Sequence, residues 1–166
     1  MGITEKILKT RVKTPTLGKW SSGFSKVKKF ADTNEIPLIA VWTNGDVCGH
    51  CVWLEEAAMT KTFRNWMTVS GCVFWLGTSS DTSKDDKYEG TGFNWSRKKK
   101  LTGYPFVRVW WKKGKVDLCK SGDYFILGST RNDGKEMRDK IKKVLKKYDP
   151  YPILHPDEQP LPEPQP

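Results

Sequence analysis

Two short apolar runs, with a helical segment between them, constrain the fold of this chain most strongly. The runs cover residues 36–42 and 72–77, and continuous apolar runs of this length are typical of strands covered on both faces. Between them, residues 51–67 place apolar side chains at the spacing of one helix face. A helix between two buried strands indicates a parallel βαβ unit, and the sequence therefore predicts an α/β fold.

A tetrapeptide with two cysteines, Cys48-Gly49-His50-Cys51, lies at the junction of the first strand and the helix. A helix that begins at the first cysteine directs backbone N–H groups and the positive end of its dipole at that sulfur, which favours thiolate over thiol. The second thiol lies one helical turn away, close enough to resolve a mixed disulfide. Two cysteines at this spacing also make half of a zinc site, so the motif alone leaves both chemistries open.

Two further helices are predicted on either side of this unit. Residues 20–34 carry apolar side chains at helical spacing, and Ser21 or Ser22 offers an N-cap. Residues 134–148 form one apolar stripe, whereas lysine dominates the other faces of this last helix. Both patterns are amphipathic, so we expect each helix to pack one face on the sheet.

A hairpin is predicted between the second apolar run and the last helix. Residues 103–111 read as a strand that begins near a proline, and residues 112–115 give a tight turn signal. Residues 116–120 return as the antiparallel partner of that strand. Together with the parallel βαβ unit, this hairpin predicts a central mixed sheet flanked by helices.

The order of these elements resembles the thioredoxin fold. The tetrapeptide of residues 48–51 is identical to the active-site motif typical of protein disulfide isomerase domains. The segment Gly103-Tyr104-Pro105 looks like the loop that carries a cis-proline opposite the active site in thioredoxin-like proteins. The resemblance covers roughly residues 20–148 and implies a thiol–disulfide oxidoreductase that acts on protein substrates.

The resemblance implies a role for each residue of the tetrapeptide. Cys48 is expected to be the exposed catalytic nucleophile and Cys51 the resolving thiol. His50 is expected to stabilise the Cys48 thiolate, which makes the pair more oxidising than one with proline at that place. Gly49 is expected to belong to the substrate-binding surface. So are Tyr104 and Pro105, because the backbone before a cis-proline can pair with an extended substrate near the sulfurs.

One departure from the family concerns proton transfer. Thioredoxin-like oxidoreductases usually carry a buried acid in the strand before the active site, which moves protons from the resolving cysteine. Here that strand, residues 38–41, offers no acid, and Asp46 lies in the loop. Glu55 and Glu56 lie in the first turns of the following helix, where negative charge suits the dipole. We expect both on a solvated face, with proton transfer through water as the alternative role.

The other candidate ligands and thiols favour structural roles. Cys72 and Cys119 fall in predicted strands, and we expect buried, inert thiols there. A zinc site at Cys48 and Cys51 would need two further ligands, but His155 and the remaining cysteines stand at no recognisable zinc spacing. The sequence therefore predicts neither a metal nor a cofactor.

Three segments fall outside the regular pattern. Residues 1–19 form a basic N-terminal arm, for which a short helix and an extended arm on a sheet edge are both open. Residues 79–100 are polar and predict a long loop inserted in the domain. Residues 149–166 contain seven of the ten prolines, so they predict an extended C-terminal arm that cannot form a core.

Charge and the proline-rich arm keep a second function class open. The formal net charge is +10, which raises attraction to nucleic acid, anionic membranes or acidic protein surfaces, although no nucleic-acid motif supports the first. A groove on a partner protein is the expected site for the proline-rich arm. The chain is thus expected to be an oxidoreductase, or else a thioredoxin-like binding subunit of a larger assembly such as a virus particle.

The expected location follows from the ends and the hydropathy of the chain. No run approaches the roughly 18 apolar residues of a membrane span. The first residues lack the apolar core of a signal peptide. We therefore expect a cytoplasmic protein, with the interior of a virus particle as the alternative. The expected partners of the dithiol are protein substrates, or a reductase or oxidase that forms a mixed disulfide with it.

Overall fold

The computed structural model describes residues 2–45, 48–78, 81, 86, 105–111, 114–118 and 134–147. The helices and strands of these residues, in chain order, are α1 (Ile3–Lys9), β1 (Trp20–Ser21), α2 (Phe24–Asn34), β2 (Leu38–Thr43), α3 (Gly49–Ala58), α4 (Lys61–Val69), β3 (Val73–Thr78), β4 (Phe106–Trp111), β5 (Gly114–Asp117) and α5 (Lys135–Leu145). The calls on Asp46, Tyr104, Cys119, His155, most of the 79–100 loop and the proline-rich arm lie outside the described residues.

The five strands form one mixed sheet in the order β1-β3-β2-β4-β5. β3 runs parallel to both of its neighbours, whereas β4 runs antiparallel to β2 and to β5. This α/β arrangement confirms the predicted mixed sheet flanked by helices and is compatible with a thioredoxin-like fold. The hairpin is also confirmed, although β5 begins at Gly114, earlier than residues 116–120 suggest.

The parallel βαβ unit is confirmed, but its connection contains two helices instead of one. The prediction of a single helix over residues 51–67 is wrong, because α3 ends at Ala58 and α4 begins at Lys61. Thr60 separates them: its hydroxyl accepts a hydrogen bond from the N–H of Phe63 at 3.3 Å and donates one to the carbonyl of Ala57 at 2.7 Å. A threonine N-cap satisfies a donor that a new helix leaves open, so the chain restarts there.

Aromatic side chains fill both faces of the sheet. On one face, Phe24 of α2 packs against Trp75 with ring centroids 4.9 Å apart. On the other face, Phe74 packs against Trp66 of α4 at 5.8 Å. Phe74 and Trp75 are neighbours in β3 and point to opposite faces, as strand geometry requires. Trp66 and Trp75 are buried, and Trp42 is fully buried as well, so these tryptophans belong to the core.

The N-terminal segment combines the two forms that the sequence left open: the helix α1 comes first, and at Val12 the chain then bridges to the edge strand β1. Ile7 of α1 is fully buried in the hydrophobic core, and the hydroxyl of Thr4 donates a hydrogen bond to the Glu55 carboxylate at 2.6 Å. Beyond α1, Arg11 pairs with Asp81 at 2.7 Å, and Val12 forms a parallel bridge with Ser21. This segment therefore packs against the sheet and the α3 helix.

The start of α2 differs from the prediction. Trp20 and Ser21 form β1, and the N-cap is Gly23, whose φ of 83° suits glycine. Neither predicted serine caps this helix. Instead, the Asp86 carboxylate accepts hydrogen bonds from the N–H groups of Gly23 and Phe24, at 2.8 and 3.0 Å. A carboxylate 62 residues away in sequence from Phe24 thus accepts hydrogen bonds from N–H groups that have no partner within the helix.

The last helix is confirmed as an amphipathic element. α5 buries an apolar stripe that includes Met137, Ile141 and Leu145, each fully buried. Gly134 precedes it with a φ of 72°, and a side chain there would meet the Phe63 ring at 2.8 Å. Within the described residues, no helix is long and apolar enough to cross a membrane.

Replacing Asp86 by alanine is expected to destabilise the fold by about 1–3 kcal/mol, because it removes a charged helix cap and leaves buried donors open. The same carboxylate also accepts from the Trp75 indole N–H at 2.6 Å. Urea denaturation measures the effect. The matched control is Asp32→Ala: the Asp32 side chain of α2 forms an i,i+4 ion pair with Lys28, and its loss should change stability by less than about 0.5 kcal/mol. Equal losses in the two variants would contradict the capping role.

Candidate functional site

The two cysteines lie where the loop after β2 enters α3. Cys48 is the N-cap of α3, with an extended backbone, and Cys51 lies in the first turn of that helix. The N–H of Cys48 donates to the Gly45 carbonyl at 3.2 Å, which ties the cap to the loop. The motif therefore stands at a strand-to-helix junction, as the sequence predicts.

Both sulfurs accept hydrogen bonds from backbone N–H groups. The Cys51 N–H donates to the Cys48 sulfur at 3.3 Å, so the sulfur takes the place of a capping oxygen. The N–H of Asn44, the first residue after β2, donates to the Cys51 sulfur at 3.3 Å. Together with the positive end of the helix dipole, such donors stabilise negative charge on sulfur.

The two cysteines form a disulfide, with Cα atoms 5.2 Å apart. Their exposure differs: Cys48 is partly exposed, whereas Cys51 is fully buried. A thiol that attacks this disulfide from solvent can therefore reach the Cys48 sulfur and not the Cys51 sulfur. The geometry allows reversible opening and closing of the pair with one accessible end.

His50 and Gly49 lie between the cysteines at the surface of the helix start. Gly49 is exposed, and a side chain there would meet nothing within 4 Å. The His50 ring meets the Trp53 ring edge-on, with centroids 5.2 Å apart and an angle of 87°. Trp53 is 43% exposed. An aromatic surface thus adjoins the accessible sulfur.

Pro105 precedes β4, and the sheet register brings it toward the cysteine loop. Phe106 pairs with Trp42 in the antiparallel ladder of β4 and β2. One step further along the same register sets Pro105 opposite Thr43, the last residue of β2 before the loop. Pro105 is buried. Because Tyr104 lies outside the described residues, the predicted cis bond before Pro105 stays a prediction.

Glu55 corrects the expectation of a solvated acid. Its side chain is fully buried in α3, and only Glu56 of the two is exposed. The Glu55 carboxylate accepts the hydrogen bond from Thr4 of α1. The sequence does carry a signal for this burial, because Cys51, Leu54, Glu55 and Ala58 follow the i, i+3, i+4, i+7 spacing of a buried helix stripe. The structure therefore holds a buried carboxyl one turn beyond the buried cysteine.

Of the remaining predicted thiols and ligands, the structure describes Cys72, which lies beside the start of β3, at the other end of the sheet from the cysteine motif. Cys72 is fully buried, which confirms its expected burial, and its thiol donates a hydrogen bond to the Ser70 carbonyl at 3.5 Å. Within the described ranges, no group of three or more His, Cys, Asp or Glu side chains could hold a metal ion. Cys119 and His155 lie outside those ranges.

Comparisons with known proteins give no match from which a function could be taken. The chain matches no protein-family model. No curated protein gives a significant match to its sequence either. What the chain does must therefore be inferred from the dithiol and its surroundings.

After reduction at neutral pH, we expect iodoacetamide to alkylate Cys48 at least about tenfold faster than Cys51 or Cys72. The reason is that attack needs both a thiolate and access, and only Cys48 combines partial exposure with a helix N-terminus. Peptide mass spectrometry of a time course measures the three rates. Faster labelling of either buried cysteine in the folded protein would contradict this assignment.

Proposed function

We propose that this protein is a thiol–disulfide oxidoreductase that exchanges disulfides with protein substrates. The observation that carries the proposal is the Cys48–Cys51 disulfide at the start of α3, with a backbone N–H directed at each sulfur. Reactive cysteines in proteins are found at helix N-termini, where the thiolate is stabilised, whereas structural cysteines are buried and inert. Because Cys48 is partly exposed and Cys51 is fully buried, an incoming thiol or disulfide is expected to react at the Cys48 sulfur.

In the proposed cycle, the Cys48 thiolate attacks one sulfur of a substrate disulfide. The substrate S–S bond breaks, a Cys48–substrate disulfide forms, and the first substrate thiolate leaves and takes a proton. Cys51 then attacks the Cys48 sulfur, the second substrate thiolate leaves, and the Cys48–Cys51 disulfide forms. Two electrons have passed from the protein to the substrate. The same steps in reverse transfer the disulfide to a substrate dithiol.

The residues around the sulfurs have proposed roles in this cycle. His50, two residues after Cys48 in the motif, is proposed to stabilise the thiolate as a positive charge or ring dipole. Gly49 leaves the accessible sulfur open to a protein substrate, because it adds no side chain there. Tyr104 and Pro105 are proposed to offer backbone to an extended substrate segment, and the sheet register sets Pro105 near the end of β2 that leads to the cysteines. The thioredoxin-like family, with a protein disulfide isomerase-type motif, is the proposed family.

A second proposed role is that of a binding subunit in a larger assembly. It rests on residues 149–166, with seven of the ten prolines, and on the net charge of +10. A proline-rich segment fits an aromatic groove on a partner protein. The two roles go with two locations, a cytoplasm for disulfide exchange and a virus particle for a bound subunit. Neither role requires a metal or a cofactor.

The reduced protein is expected to accelerate insulin disulfide reduction by dithiothreitol, and Cys48→Ser is expected to return the rate to the uncatalysed value. The serine variant lacks the sulfur that forms the mixed disulfide, so no later step can occur. Turbidity of the precipitating insulin chains measures the rate.

Two variants serve as controls for this assay. Cys72→Ala removes a buried thiol remote from the pair and should keep the activity. Deletion of residues 149–166 should also keep it, because the arm takes no part in the exchange. Absence of acceleration by the full chain, with nothing further lost in Cys48→Ser, would refute the oxidoreductase role and leave the binding role.

A further inference from the structure

Three exposed lysines lie at the end of the last helix: Lys143, Lys146 and Lys147. We refer to these side chains as the lysine face. We propose that the proline-rich arm of residues 149–166 docks on the lysine face of its own chain. Such docking lies outside the disulfide exchange, because neither the arm nor the lysine face belongs to the dithiol site.

The lysine face points away from the core. Lys135, Asp139, Lys143 and Lys147 follow one another at intervals of four residues, so they lie along one side of the helix, opposite the apolar stripe that α5 buries. The carboxylate of Asp139 pairs with Lys135 at 2.6 Å. Within the described residues, no ion pair engages Lys143, Lys146 or Lys147. The end of the helix therefore presents three positive charges to solvent.

The arm has the opposite charge. It contains four acids and neither lysine nor arginine, whereas the whole chain has a formal net charge of +10. The acids are Asp149, Asp157, Glu158 and Glu163. Opposite charges at the surface attract one another, and the lysine face is the described basic surface that lies nearest to the arm in sequence. The two are therefore complementary in charge.

The length of the arm allows its central acids to return to the helix. Asp157 follows Tyr148 by nine residues, which span at most about 28 Å when polyproline-type chain advances about 3.1 Å per residue. Residues 153–155 contain no proline, so the backbone is not restricted against a turn there. A turn at this place brings Asp157 and Glu158 back to the end of α5.

Concentration favours the same chain over a second copy as the place where the arm docks. A single exposed ion pair contributes little binding free energy and is weakened by salt. A short linker holds two partners at an effective concentration in the millimolar range, whereas a second copy at micromolar concentration is about a thousandfold more dilute. A few exposed ion pairs are therefore sufficient within one chain and too weak between two chains.

The test uses the full chain and a water-soluble carbodiimide, which joins a lysine amine to a carboxylate where the two are in contact. Mass spectrometry of the digested protein locates the joined residues. We expect Asp157 and Glu158 to join the lysine face, with a yield that falls at least about fivefold in 0.5 M NaCl, where the Debye length is only about 4 Å. Asp149 is left out of the readout, because it lies beside these lysines in sequence.

Charge reversal supplies the matched variants, with Lys146 kept as the reporter amine. Lys143→Glu combined with Lys147→Glu should reduce the joining of Lys146 to the arm at least about fivefold. Lys6→Glu combined with Lys29→Glu makes the same change in net charge at exposed positions of α1 and α2, and should leave that yield unchanged.

A charge swap tests whether the pairing is specific. Asp157→Lys and Glu158→Lys, added to the charge-reversed face, should restore joining between the arm and positions 143 and 147, now with the roles of amine and carboxylate exchanged. Failure of this rescue would count against docking on the lysine face.

An equal mixture of ¹⁵N-labelled and unlabelled chains shows which chain supplies the arm. Joined peptides with one label throughout support docking within the chain. Peptides that combine the two labels would assign the lysine face to a second copy and overturn the inference. So would joining of Asp157 and Glu158 to Lys6 and Lys29 as often as to the lysine face. None of these outcomes bears on the disulfide exchange, which the insulin assay tests separately.

Discussion

The hydrogen bond from the Cys51 N–H to the Cys48 sulfur is the interaction on which the site depends. This hydrogen bond makes the Cys48 sulfur the N-cap of α3. The residue that begins the helix is therefore also the reactive residue. The loop from β2 reinforces it, because Asn44 donates to the second sulfur. The sheet supplies the frame, since β2 and β3 are buried on both faces and fix where that loop and helix lie.

The N-terminal segment changes the picture of the domain. The domain that the sequence predicts over residues 20–148 leaves this segment out, yet Ile7 lies in the main core and the Thr4 hydroxyl donates a hydrogen bond to the Glu55 carboxylate. Burial of a carboxyl is costly unless it is hydrogen-bonded, so α1 and Glu55 depend on each other. Arg11 and its ion pair with Asp81 extend this attachment toward the loop after β3. The dithiol helix is thereby tied to a segment far away in sequence.

Local patterns predicted the features that depend on neighbouring residues. The βαβ unit, the hairpin and the buried Cys72 all follow from periodicity and residue type. Trp20 was misassigned, because it continues the helical spacing of α2 while a strand of two residues is too short to show a pattern. The caps and the buried acid needed non-local partners: Asp86 lies 62 residues from Phe24, and Thr4 lies 51 residues from Glu55. Burial of Glu55 was still readable from its place on the apolar stripe.

The reduction potential of the Cys48–Cys51 pair tests the central claim, that this dithiol is built for exchange, most directly. Equilibration of the full chain in glutathione redox buffers, followed by acid quenching and thiol alkylation, measures it. Stabilisation of the Cys48 thiolate by the helix start favours the reduced form, so we expect a potential between about −270 and −120 mV, the range of thiol–disulfide oxidoreductases. A potential below about −300 mV, typical of structural disulfides, would contradict that claim.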